Sequence, residues 1–155
     1  MRRKRRNWRI IKVIELTGYI WDYLGTAIIA ITTSGSLTRD GRAVLGRGCA
    51  RQAAERFPAL ALQLGEFLRE QGNHVHKLGN GLVSFPVEES AWSLPDLRLI
   101  ARSAQELRAL ADREGWVSIV VPRPGCGGGG LEWREVRPLL ISQFDGRFMV
   151  ISSQQ

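Results

Sequence analysis

Apolar positions along this chain fall into two rhythms. Short runs of mostly β-branched residues recur: Ile10, Ile11, Val13 and Ile14 within residues 8–16, then Ala27 to Ile31, then Val117, Ile119, Val120 and Val121, and finally Phe148 to Ile151. Almost nothing polar interrupts the second and third, which predicts strands buried on both faces, and the first and last read as strands beside them. Between the runs, apolar residues repeat at helical spacing. Ala50, Ala53, Ala54 and Phe57 share one face, as do Leu60, Leu64, Phe67 and Leu68. A longer stripe runs through Leu97, Ile100, Ala104, Leu107 and Ala111, and a last one through Val136, Leu139, Leu140 and Phe144. Pro58 halts the first helix, Gly72 and Gly115 stop the next two, and Pro138 falls inside the fourth. Ser93 is the expected cap of the longest helix, with Asp96 as its box partner. Residues 74–78 and 82–86 flank Asn80-Gly81 and predict an antiparallel hairpin. The sum is an α/β/α domain with a mixed sheet of about six strands.

The segments just past the strands carry the chemistry. The second strand runs into Thr32-Thr33-Ser34-Gly35-Ser36, and residues 38–50 form a glycine-bearing loop that opens a helix. The stretch from Trp116 to Trp133, WVSIVVPRPGCGGGGLEW, repeats the arrangement: a buried strand, a proline stop, a glycine loop and a helix start. Glycines let backbone N–H groups approach an anion closely, and the free N–H groups of a first helical turn add partial positive charge. Two such cradles suit a diphosphate better than a single phosphate. The plainer alternatives are a flexible connection for one loop and a tight helix-to-sheet junction for the other.

Charge changes the picture only at one end. The net charge is +7, but Arg2, Arg3, Lys4, Arg5, Arg6, Arg9 and Lys12 precede every acid, leaving 15 basic against 15 acidic residues from position 13 onward. Residues 1–12 are thus a basic tail or the start of the first strand, and residues 8–155 a single domain. The tail would hold nucleic-acid phosphates without reading sequence, or serve as a solubilising end, or derive from an upstream start codon. No apolar run approaches the ~18 residues that span a bilayer, so no membrane role is expected. Two cysteines cannot staple a secreted scaffold, which makes a cytoplasmic setting the default.

At three places the residues resemble a macrodomain, the ADP-ribose-binding module: the second strand and its loop over residues 27–35, Gly46-Arg47-Gly48-Cys49-Ala50, and residues 122–133. The pattern PxxGCGxxxLxW, here Pro122, Gly125, Cys126, Gly127, Leu131 and Trp133, is most similar to the branch holding terminal-ADP-ribose glycohydrolases and DNA-ADP-ribose-removing antitoxins. The resemblance implies a three-layer macrodomain-like fold, no cofactor, and ADP-ribose as ligand, free or attached to protein or nucleic acid. It places Gly46, Gly48 and Cys49, with Arg47 among them, against one phosphate. Gly125, Cys126, Gly127 and Gly128, flanked by Pro124 and Gly129, would wrap the other phosphate and the distal ribose. Tyr19, with Ile20, or Asp22 would meet the adenine, and Ser34 the distal ribose.

Departures from the family pattern bear on mechanism. Tyr19 follows Gly18 where an acidic residue is usual. Glu88 stands where the glycohydrolase branch carries a lysine, and Gly129 where it carries an aspartate. A lysyl nucleophile is therefore not expected. The remaining candidates for activating water are Asp40 and Glu88, each equally readable as a solvated loop residue. Cys126 has no histidine in its loop and reads as a small residue chosen for fit. Cys49, Cys126, His74 and His76 match no compact metal spacing. Three functions fit these residues: an ADP-ribose-binding module, a hydrolase of ADP-ribosyl bonds that uses no lysine, or a nucleic-acid-associated protein with a vestigial cleft.

Overall fold

The computed structural model describes residues 12–153. The basic residues 2–11 and the apolar pair Ile10-Ile11 lie outside them. The elements run β1 (Ile14–Gly18), a 3-10 turn (Ile20–Tyr23), β2 (Ile28–Ser34), α1 (Gly48–Arg56), α2 (Leu60–Gln71) and β3 (Leu82–Glu88). They continue with α3 (Leu97–Glu114), β4 (Ile119–Pro122), α4 (Trp133–Ile141) and β5 (Phe148–Ser153). The strands form one sheet in the order β1-β5-β4-β2-β3. Every pairing is parallel.

Strand alternation divides the apolar residues between two cores. Ala30, Ile119, Val121, Phe148 and Val150 face α3 and α4, packing on Ile100, Leu107, Val136 and Leu140. Ile29, Ile31, Val120 and Ile151 point the other way, onto Ala53, Leu64, Leu68 and Trp21. Both faces are therefore covered, as a parallel sheet requires. Among the described residues no helix is long and apolar enough to cross a membrane.

Three local expectations are corrected. The sheet has five strands rather than about six, and all five are parallel. Asn80 and Gly81 do take the left-handed pair of conformations a tight turn needs, with φ of 61° and 74°. Residues 74–78 nevertheless contribute only a single antiparallel bridge, Lys77 to Val83. Leu78 N–H to the Leu82 carbonyl and Ser84 N–H to the His76 carbonyl hold that bridge, and side chains take two further donors of the segment. Val75 N–H donates to Glu106 and His76 N–H to the Ser84 hydroxyl. Finally, Ser93 closes its own loop with Ser90, and Asp96 is the cap of α3, accepting from Arg98 N–H at 2.8 Å.

At the amino end of β5 a buried ion pair closes the edge opposite the strands' carboxyl ends. Asp145, 4% exposed, accepts from the Arg147 backbone N–H, Nε and Nη2, each at 3.0 Å. Arg147 Nη2 also lies 2.7 Å from Asp112. Burial on its own raises the Asp145 pKa, but the hydrogen bonds and charge of Arg147 outweigh it, and the carboxyl is held below its ordinary value. A depressed carboxylate pKa stabilises the fold above the unfolded value and loses that contribution as pH falls through the folded one. Asp145→Asn should therefore cost about 3 kcal/mol at neutral pH. In urea denaturation the gap from the parent should shrink below about pH 4.

Candidate ligand-binding cleft

Parallel polarity brings all five strand ends to one edge, and a cleft of about 810 Å³ lies along it. Each strand contributes: Gly18 from β1, Thr32 to Ser34 from β2, Val87 and Glu88 from β3, Pro122 from β4, and Ile151 to Ser153 from β5. Ligands of open parallel sheets bind at this edge.

The first glycine loop enters α1 at Arg47, whose backbone is extended (φ −145°), and turns at Gly48 with φ of 56°. No side chain caps this helix, and its first turn contains no acidic residue. At this helix start Gly46, Gly48 and Cys49 line the cleft. Cys49 anchors the turn to the sheet, its sulfur accepting from Thr32 N–H at 3.4 Å. Burial pushes the Cys49 thiol above its ordinary pKa.

The second loop folds back on itself. Leu131 N–H donates to the Gly125 carbonyl at 3.0 Å. Gly125 has φ of 73°, and a Cβ there would come within 2.8 Å of Leu131 Cδ1 and 3.1 Å of Pro95 Cβ. A Cβ on Gly129 would meet Pro95 Cγ at 2.6 Å and the Gly125 carbonyl oxygen at 2.7 Å. Close packing thus demands glycine at these two positions. Gly127 and Gly128 differ, because both line the cleft and a Cβ on either would meet open space. Burial likewise raises the Cys126 thiol pKa, and its sulfur donates to the Pro124 carbonyl. Neither cysteine is set up as a thiolate nucleophile.

The structure brings Tyr19, Ile20, Ser34, Gly46, Arg47, Gly48, Cys49, Glu88, Gly125, Cys126, Gly127, Gly128 and Gly129 to the cleft wall. It leaves three expected residues elsewhere. Asp22 sits exposed on the 3-10 turn, and Pro124 is not part of the wall. Asp40 lies in an exposed turn, bonded to the Thr38 hydroxyl and to Arg42 Nε, and these contacts hold its carboxyl below the ordinary range. Its position off the wall removes it as a candidate for activating water in the cleft. His74 pairs with Glu106 and His76 stacks on Phe67, both away from the wall.

Several wall residues escape a reading of the sequence alone. Ser152 and Ser153, small and polar after an apolar strand, repeat the signal that marks Thr32 to Ser34. Arg123 and Trp133 belong to a cluster visible only in three dimensions. Arg123 stacks over the Trp133 ring at 4.7 Å, and Trp133 Nε1 donates to Glu15 at 3.3 Å. Arg137 grips both oxygens of Glu15 and, above all other influences, holds that carboxyl below its ordinary pKa.

No family model and no curated protein matches this sequence. Solved structures do. The macrodomain of Mycobacterium tuberculosis DarG is 20% identical, with a TM-score of 0.73 over 90% of this chain and 97% of that one. The macrodomain of Thermus aquaticus DarG is 18% identical, with a TM-score of 0.67 over 92% and 98%. Thermosipho africanus DarTG, solved in complex with ADP-ribose, is 18% identical, with a TM-score of 0.65 over 80% of this chain and 37% of that one. The chain has the macrodomain fold.

The two classes of glycine separate by stability. Gly125→Ala should cost about 2 kcal/mol, from left-handed strain plus the clash with Leu131. Gly127→Ala should stay within about 0.5 kcal/mol of the parent. Thermal unfolding of the two variants measures the difference.

Proposed function

We propose that the cleft binds ADP-ribose, free or attached to a macromolecule. The observation that carries this reading is the convergence of two glycine turns, each opening an uncapped helix, on one cleft wall. The first turn leads into a helix start free of acidic residues, and the second brings the glycine backbone of residues 125–129, and together they suit a diphosphate. The flanks of that central region differ in character. At the β1 end, Tyr19 and Ile20 offer a flat and partly apolar surface for a base. At the β3 end, Thr33, Ser34 and Glu88 offer hydroxyls and a carboxylate for a sugar. The solved DarTG structure, 37% of whose chain is matched by this fold, holds that ligand in its own case.

Calorimetry with ADP-ribose, ADP and ATP tests the reading, with ADP-ribose expected to bind most tightly. Equal affinity for all three would count against it. Gly127→Val, which fills the open cradle without touching the packed part of the loop, should weaken ADP-ribose binding at least ~10-fold, about 1.4 kcal/mol, while the fold persists.

A second reading is favoured by one observation: Glu88 is the sole carboxylate among the described residues of the wall. In this reading the protein hydrolyses an ADP-ribosyl bond. Water adds to the anomeric carbon as the carrier departs, and Glu88 accepts the water's proton. Incubation with ADP-ribosylated protein or nucleic acid should then release ADP-ribose, and Glu88→Ala should abolish the release. Release that survives the substitution would remove Glu88 from the reaction.

A further inference from the structure

We propose that Arg47 and Glu88 form the selectivity element of the cleft, admitting a neutral sugar beyond the diphosphate and excluding a third phosphate. The inference rests on the proposed ADP-ribose binding and deepens it. Arg47 immediately precedes α1, and its side chain reaches across to the end of β3. Its Nη2 lies 3.3 and 3.4 Å from the two carboxylate oxygens of Glu88 and donates to the Ala91 carbonyl at 3.4 Å. These contacts tie the first glycine loop to the segment after β3, which Asn73 also holds through the Glu88 carbonyl at 3.0 Å.

The pair is asymmetric. The Arg47 side chain is 63% exposed, whereas that of Glu88 is 14% exposed. A nearly withdrawn carboxylate thus depends on a cation that stands mostly in water. Arg123 is the other cation on the described wall, and it is stacked against Trp133. Among the described residues Glu88 therefore has one close counter-ion.

That arrangement treats two kinds of ligand differently. A sugar hydroxyl is a donor as well as an acceptor, so it bonds to the free lone pairs of the carboxylate and leaves the ion pair intact. A third phosphate brings only acceptors and negative charge. Beside Glu88 it faces a like charge, and any hold it takes on Arg47 competes with the contact that pairs a largely buried carboxylate with its partner. The same end of the cleft carries Trp92, 84% exposed, on a loop held by the Ala91 N–H to Ser36 Oγ bond at 2.8 Å. An aromatic face complements the C–H groups of a sugar, and its indole N–H is the single donor it holds for a phosphate.

The test is calorimetry of the full chain with ADP-ribose and with magnesium-free ATP, using the parent, Glu88→Gln and Arg47→Ala. Thermal unfolding of each variant reports whether the fold is kept. Glu88→Gln keeps an acceptor and removes the charge, so ATP should gain roughly tenfold in affinity relative to ADP-ribose. Arg47→Ala strips Glu88 of its counter-ion, so the preference for ADP-ribose should widen. Opposite movements of one ratio separate selectivity from general damage, which would weaken both ligands together. Should either ratio stay within about twofold of the parent, or both move the same way, the selectivity element is overturned while ADP-ribose binding stands. If the parent takes up neither ligand, both readings fall.

Discussion

The constraint on which the rest depends is strand polarity. Five strands run in one direction, and all but the edge strand β1 bury most of their side chains, so those four have little room for polar residues in their middles. Polarity is displaced to the ends. Carboxyl termini collect on one edge, where β2 ends in Thr32, Thr33 and Ser34 and β5 in Ser152 and Ser153. The helices that return the chain across the sheet begin at the same edge. Two of them, α1 and α4, have first turns without a side-chain cap where the polar strand ends already gather. A cleft at this edge thus arises from connectivity before any particular side chain is considered.

Much of this was legible in the sequence, because the signals are local. Apolar runs marked β2, β4 and β5, helical spacing marked all four helices, and glycines after the buried strands marked both loops. What escaped depends on partners far apart in the chain. Nothing local tells that Glu15 lies beside Trp133 and Arg137, or that Arg47 reaches Glu88. The hairpin over residues 74–86 misleads for the same reason. Its turn is real, but two donors of its first arm are claimed by Glu106 and Ser84, one from α3 and the other from the facing strand. Asp40 offers the converse lesson: a carboxylate near a glycine loop in sequence is satisfied by its own turn, through Thr38 and Arg42, and never reaches the wall.

The second glycine loop shows how one composition does two jobs. Gly125 and Gly129 are required because the loop packs on itself and on Pro95, leaving no room for a Cβ. Gly127 and Gly128 are under no such demand, and their exposed backbone lies on the wall. Rigidity in the first pair fixes the position of the second. A uniformly flexible loop would lose its donors' alignment to conformational entropy, and ordering them on binding would consume affinity.

Unpaired donors at a cleft are a local cost, and the opposite edge offsets it. There Asp145, Arg147 and Asp112 form a network in which the buried carboxylate's oxygens are fully engaged, and Arg147 lies over the Phe148 ring at 5.5 Å. Phe144 stacks on Phe148 with ring centres 4.2 Å apart, joining that network to the core beneath α4. The amino edge of β5 is thus pinned by charge and aromatic contact, while its carboxyl edge ends in two serines open to the cleft. This network and the cleft sit at opposite ends of the same strand, so the cleft residues need not also hold the sheet together. The wall can consequently carry groups chosen for chemistry, including an ion pair as weakly shielded as Arg47 with Glu88, without endangering the fold.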